Sequence, residues 1–180
     1  MRKDLQEEIE LPEGVNGEVE GKKIIIKKGE MINERIFNYN IKIEKSGSKI
    51  ILSAKKATKR EKKQIMSAKA HINNMIKGMG EKFVYKLQIC TVHFPVTVTA
   101  DKGEFIVKNF LGEIKPRKLK LKSGVEVKVE KEIVTIKSEN KELAGQTAAD
   151  IEILTKVKNR DRRIFQDGIF IIQKAGEEKT

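Results

Sequence analysis

Tryptophan is absent from this 180-residue chain, and aromatic residues make up only 5% of it. Ile, Val, Leu and Ala must therefore supply most of the packing. At 38% hydrophobic residues there is enough of it for ordinary cores, which excludes wholesale disorder. The single cysteine, Cys90, cannot close an internal disulfide and fits a reducing compartment. No apolar run approaches the roughly 20 residues that span a bilayer, so no membrane partner is expected. The opening MRKDLQEEIELPEG is charged rather than apolar and does not read as a signal peptide. The cytoplasm is the expected compartment.

Reacting groups are equally scarce. There are two histidines. His71 lies in a helical stretch and His93 precedes Phe94 and Pro95 at the end of a strand. Neither has a second His or a Cys at ligand spacing, so no metal is expected. Cys90 and His93 stand three apart in a strand-like segment, which turns them to opposite faces and argues against a nucleophile pair. Neither G-x-x-x-x-G-K-[ST] nor G-x-G-x-x-G occurs. The expectation is a protein that is not an enzyme, with no catalytic residue and no cofactor.

What the chain has is positive charge, +12 in total, which points to a polyanionic partner. The charge is concentrated. Lys55 to Lys63 (KKATKREKK) is net +5, Lys115 to Lys122 (KPRKLKLK) is +5, and Lys156 to Arg163 (KVKNRDRR) is +4. Those three runs carry +14, so the remainder is −2. A phosphate-binding footprint has this distribution.

The order of elements repeats. Alternation marks strands at Ile24/Ile26, Ile41/Ile43 and Ile50/Leu52, with a turn at Gly47. Thr58 opens a helix with Glu61 completing a capping box. Ile65, Ala68, Ile72, Met75, Ile76 and Met79 form its apolar stripe, and Gly78 and Gly80 are expected to stop it. The second half runs through Phe83/Tyr85/Leu87/Ile89, Val96/Val98, Leu119/Leu121, Val125/Val127/Val129 and Ile133 to Ile136. A helix follows from about Ser138 or Asn140, with Ala144, Thr147, Ala148, Ile151, Leu154 and Val157 on one face. Past Gly168 comes one apolar run, Ile169 to Ile172, and then a polar end expected to fray. The fold class is therefore α+β: two tandem similar domains, each a small, mostly antiparallel sheet packed against one helix. The expected domains are 1–80 and 81–180.

Helix-turn-helix proteins need two helices close in sequence, and strands separate these two. The aromatic signature of RRM-type binders is missing. What remains is recognition of shape and backbone by Lys and Arg, which suits folded RNA. In the second run, alternation turns Leu119 and Leu121 inward and Lys118, Lys120 and Lys122 outward. A row of like charges on one sheet face is costly unless an anion is near, so Lys115, Arg117, Lys118 and Lys120 are candidate contacts. In the third run, Lys156 and Lys158 lie at the end of the second helix, and Arg160, Arg162 and Arg163 lie beyond it. Asp161 is placed to hold an arginine through a salt bridge. Arginine forks grip phosphates bidentately. The first run spans a loop and a helix start, where cations oppose the dipole. RNA contact and a merely solvated loop both account for it.

VHFPVTV (Val92 to Val98), KNFLGE (Lys108 to Glu113) and KVKNRDRRIFQDGIFII (Lys156 to Ile172) resemble the large-subunit ribosomal protein L6 family, in its archaeal and eukaryotic branch. IELPEGV near the start fits as well, and the resemblance covers essentially the whole chain. It implies two similar α+β lobes and binding to large-subunit rRNA near the stalk base, with neighbouring ribosomal proteins there and translation factors close by. It also implies that the second lobe makes the main contacts. Lys158, Asn159, Arg160, Asp161, Arg163, Asp167 and Gly168 match the family's most characteristic segment, and Phe170 stands where Tyr is frequent. The expected role is a structural constituent of the large subunit. A free RNA chaperone or regulator of the same fold is the alternative.

Overall fold

The computed structural model describes residues 3–101 and 103–176. Six strands and a helix occur twice. The first set is β1 (Lys3–Glu10), β2 (Asn16–Glu20), β3 (Lys23–Lys28), β4 (Met31–Ile36), β5 (Lys42–Ser46), β6 (Lys49–Ala57) and α1 (Lys59–Gly80). The second is β7 (Phe83–Cys90), β8 (Thr97–Asp101), β9 (Glu104–Lys108), β10 (Arg117–Lys120), β11 (Glu126–Glu130), β12 (Ile133–Ser138) and α2 (Lys141–Leu154), with β13 (Gly168–Gln173) added at the end. The chain divides into compact units at 1–81 and 82–180.

Each unit holds two sheets, and every pairing is antiparallel. In the first they are β1-β6-β5 and β2-β3-β4; in the second, β11-β12-β7-β13 and β10-β9-β8. The same positions pair in the same order, so the duplication extends to topology. The single difference is β13, which occupies the edge of β7 whose counterpart on β1 pairs with no strand among the described residues.

The helices form for legible reasons. The Thr58 hydroxyl accepts the Arg60 N–H at 3.2 Å, and the Glu61 carboxylate takes the Thr58 N–H at 2.8 Å and also its hydroxyl. Ile65, Ala68, Ile72, Met75 and Met79 then bury one stripe of α1 against its sheets. Each fully buried Ile or Met there contributes about 1.5–3 kcal/mol. The helix does not stop at Gly78. It runs through to Gly80, and Glu81 ends it in extended conformation, not in a left-handed glycine cap, because the chain passes straight into β7. Asn140 caps α2 by accepting the Glu142 and Leu143 N–H groups. Val157, expected on the α2 face, lies beyond the helix end at Leu154 and reaches the same core from the following loop.

β1, β2, β4 and β9 lie where no strand is expected. In β4 the alternation is inverted: Ile32 and Ile36 face out at 60% and 63% exposure, while Asn33 is buried. β1 carries acids on both faces and, among its described side chains, buries only Ile9 well. Of the polar end, residues 177–180 lie outside the described residues.

Candidate RNA-binding surface

The third basic run forms the loop between α2 and β13, and both of its ends are tied down. At the near end Thr155 is 1% exposed. Its hydroxyl lies 3.3 Å from the carbonyls of Ile151 and Glu152 and accepts the Ile169 N–H at 3.0 Å, joining the end of α2 to the start of β13. At the far end Asp167, 2% exposed, reaches back to the segment after β7. One of its oxygens accepts the Val92 and His93 N–H groups at 2.8 and 3.1 Å; the other accepts the His93 Nδ1–H at 2.7 Å. Burial pushes the Asp167 carboxyl up, but these three donors outweigh it and hold the group below its ordinary value.

Aromatic contacts extend the same knot. The His93 ring stacks on Phe165 with the ring centroids 4.7 Å apart, and the Arg160 guanidinium lies 4.8 Å from the Phe165 centroid. Asn109 adopts a left-handed backbone (φ 59) and donates its side-chain amide to the Pro95 carbonyl at 3.0 Å. Gly112, at φ 77, faces the Phe94 ring. VHFP, NFLGE and the KNRDRRIFQDG loop, distant in sequence, are thus one structure.

Arg117 closes it from β10. Its guanidinium grips both oxygens of Glu113 at 2.6 and 2.8 Å, donates to the Leu154 carbonyl at 2.7 Å and to that of Lys156 at 3.4 Å, and lies 4.3 Å from the Phe110 centroid. It supplies the cation at the negative end of α2, whose own last turn has no basic residue. The second and third runs meet at this side chain. Arg117 is therefore engaged within the lobe, and Arg117 itself holds Glu113 below the usual carboxylate range.

The other candidates divide by what surrounds them. Lys156, Lys158, Arg160 and Arg162 are exposed, and none is ion-paired with a carboxylate among the described residues. Arg163 is held by Asp161, with contacts of 2.9 to 3.3 Å, while its side chain stays 90% exposed. Asn159 turns the loop with φ 56, a conformation asparagine tolerates. Lys118 and Lys120 face outward as the alternation requires, but the anion beside them is the chain's own. Glu104 on β9 pairs in register with Lys120 and lies 3.8 Å from Lys118. Lys122 reaches Asp150 on α2 at 3.9 Å, and Lys115 is exposed in the loop before β10. Glu104, Glu113 and Phe165, and the His93–Asp167 pairing, are the parts that the sequence pattern does not reveal. Only Glu113, four residues before Arg117, had a local signal.

The family model described as Ribosomal protein L6 matches residues 94–168. Three archaeal relatives named large ribosomal subunit protein uL6 align along nearly the whole chain. That of Methanococcus vannielii is 44% identical over 174 residues, covering 96% of this chain and 96% of its own. That of Sulfurisphaera tokodaii is 41% identical, covering 98% and 97%, and that of Methanobrevibacter smithii 40%, covering 94% and 96%. The chain belongs to the ribosomal protein L6 family. The L6 match begins at Phe94 and ends at Gly168, so it spans most of the knot described above. L6 is a structural, non-enzymatic family. Among the described residues no three His, Cys, Asp or Glu side chains gather to hold a metal, and no helix is long and apolar enough to cross a membrane.

Proposed function

We propose that this protein is a structural constituent of the large ribosomal subunit, in the cytoplasm, and that its second lobe binds large-subunit rRNA near the stalk base, beside neighbouring ribosomal proteins and close to where translation factors dock. One observation carries the RNA reading: Lys156, Lys158, Arg160 and Arg162 make no close ion pair among the described residues, although Arg160 feels the charge of Glu113, and they stand on a loop fixed at both ends by Thr155 and Asp167. A loop tied at both ends loses little backbone freedom on meeting phosphates, and each phosphate contact releases counterions. Asn159 shapes this loop and Arg163 stands beside the free cations. Lys115 in the loop before β10, and Lys118 and Lys120 on it beside Glu104, extend the surface, and Arg117 ties β10 to the start of the loop. The placement on the subunit rests on membership of the L6 family.

Replacing Arg160, Arg162 and Arg163 together with Ala removes exposed charge and leaves both ties intact. The variant is expected to stay folded by circular dichroism and to enter large subunits poorly. Normal incorporation would overturn the assignment. Sedimentation through high-salt sucrose gradients tests the subunit role directly: a built-in constituent stays with the large particle, and a free RNA chaperone does not.

A further inference from the structure

The first lobe carries a second cationic surface that the rRNA contact of the second lobe does not use. Lys55, Lys56, Lys59, Arg60, Lys62 and Lys63 occupy the end of β6 and the first turn of α1, and all six are exposed. None of them is ion-paired with a carboxylate among the described residues. The one acid in the run, Glu61, is committed to Thr58, whose hydrogen bonds hold its carboxyl below the ordinary range. Lys59, Arg60, Lys62 and Lys63 also face the positive end of the helix dipole. Elsewhere in the lobe about half of the lysines are ion-paired, among them Lys23 with Glu34, Lys27 with Glu18, Lys49 with Glu8 and Glu10, and Lys69 with Glu7; what marks this corner is six cations so close together in sequence. Two acids reach this corner, and each is held by another group: Glu61 by Thr58, and Asp4 by the Lys56 backbone N–H.

The surface there is concave. A depression of about 650 Å³ is walled by Lys22, Lys42, Lys55 and Lys56, with Asn40 and Thr58 offering polar atoms and Glu61, its carboxylate taken up by Thr58, also in the wall. Lys42 is tied to Glu44, and the other three lysines are free among the described residues. The Asp4 carboxylate accepts the Lys56 N–H at 2.7 Å, where the register of β1 and β6 shifts. No residue from 53 to 63 is an exposed large hydrophobic; the nearest apolar surface is half-buried Tyr39 and Ile41 in the wall and Met66 farther along α1. A protein interface generally has an apolar centre, whereas a nucleic-acid backbone needs only cations and hydrogen-bond donors.

We infer that this corner of the first lobe is a second, independent contact for the RNA phosphate backbone, so that the protein grips RNA with both lobes. The inference rests on the reading of the chain as an rRNA binder. Lysines predominate in it, and as point charges they suit sequence-independent phosphate neutralisation better than bidentate recognition.

The test uses the full chain and purified large-subunit rRNA from the cells that make it. Affinity is measured from 50 to 200 mM salt for wild type, for a first-lobe variant (K55Q, K56Q, K59Q and R60Q together) and for a second-lobe variant (K158Q, R160Q and R162Q together). The first-lobe variant is expected to flatten the log–log salt slope by about three units, at roughly 0.7–0.9 for each phosphate that is no longer neutralised. An unchanged slope and affinity would overturn the inference while leaving the second-lobe result to stand or fall by itself. If the rRNA slope is unchanged but the variant is under-represented in assembled large subunits, the RNA claim also fails and an acidic protein surface is the occupant. A second readout needs no variant. Lys55, Lys56, Lys59, Lys62 and Lys63 should be shielded from acetylation by rRNA alone, and equal modification with and without rRNA would count against the contact.

Discussion

Asp167 combines near-complete burial with a charge, which is costly unless the charge is met by donors. Here the His93 ring and two backbone N–H groups meet it. Asp167→Ala would strand those donors and is expected to cost about 3 kcal/mol, read from urea unfolding at pH 7. The folded carboxyl titrates below its ordinary value, so its contribution is complete above about pH 4 and is lost as pH falls through the folded value. The stability gap between wild type and Asp167→Asn should therefore narrow on acidification, and a gap constant from pH 7 to pH 3 would exclude this role. Arg117 makes a comparable case. A lysine cannot grip the Glu113 fork and reach the Leu154 carbonyl together. Arg117→Lys is expected to lose about 2 kcal/mol in thermal unfolding and to weaken RNA binding through the displaced loop. Neither residue advertises these roles in the sequence. Arg117 reads as one more cation in a basic run, and Asp167 finds its partners 74 and 75 residues away.

At the scale of elements, helices were legible and some strands were not. The start of α1 is written locally, in Thr58 and Glu61, and its stripe at spacings of three and four survives any tertiary context. Thr58→Ala is expected to lower stability by about 1 kcal/mol in chemical denaturation, because the capped turn also carries opposing lysines. The end of α2 is different. Its last carbonyls are met by Arg117 from β10 and by the Thr155 hydroxyl, the first of which is a long-range partner. Two of the missed strands have a physical reason, whereas β9, with Phe105 and Val107 alternating inward, was legible. An edge strand such as β1 is charged against unwanted pairing, and in β4 isoleucines face outward, so period-two alternation carries no usable sign. The lysine row of β10 shows the same limit: the outward pattern was readable, and the answering Glu104 was supplied by a neighbouring strand.

For the whole molecule, the buried apolar residues other than Ile25 fall into two clusters, one in each unit. Each lobe thus has a core of its own. A polypeptide of residues 82–180 is expected to melt cooperatively and to keep most of the rRNA affinity of the second lobe; a fragment without a cooperative transition would show that the lobes depend on each other. The class of this protein is written in its linear sequence. Duplicated periodicity, capping residues and three basic runs over a nearly neutral frame are local properties, and local properties survive in one dimension. Only packing settles which cations are left without a carboxylate partner. Charge count treats Arg117, Lys118 and Arg160 alike, but whether a cation is free depends on which carboxylate folding brings within a few ångströms. Those carboxylates lie on other strands and loops, and only the packed chain puts them there.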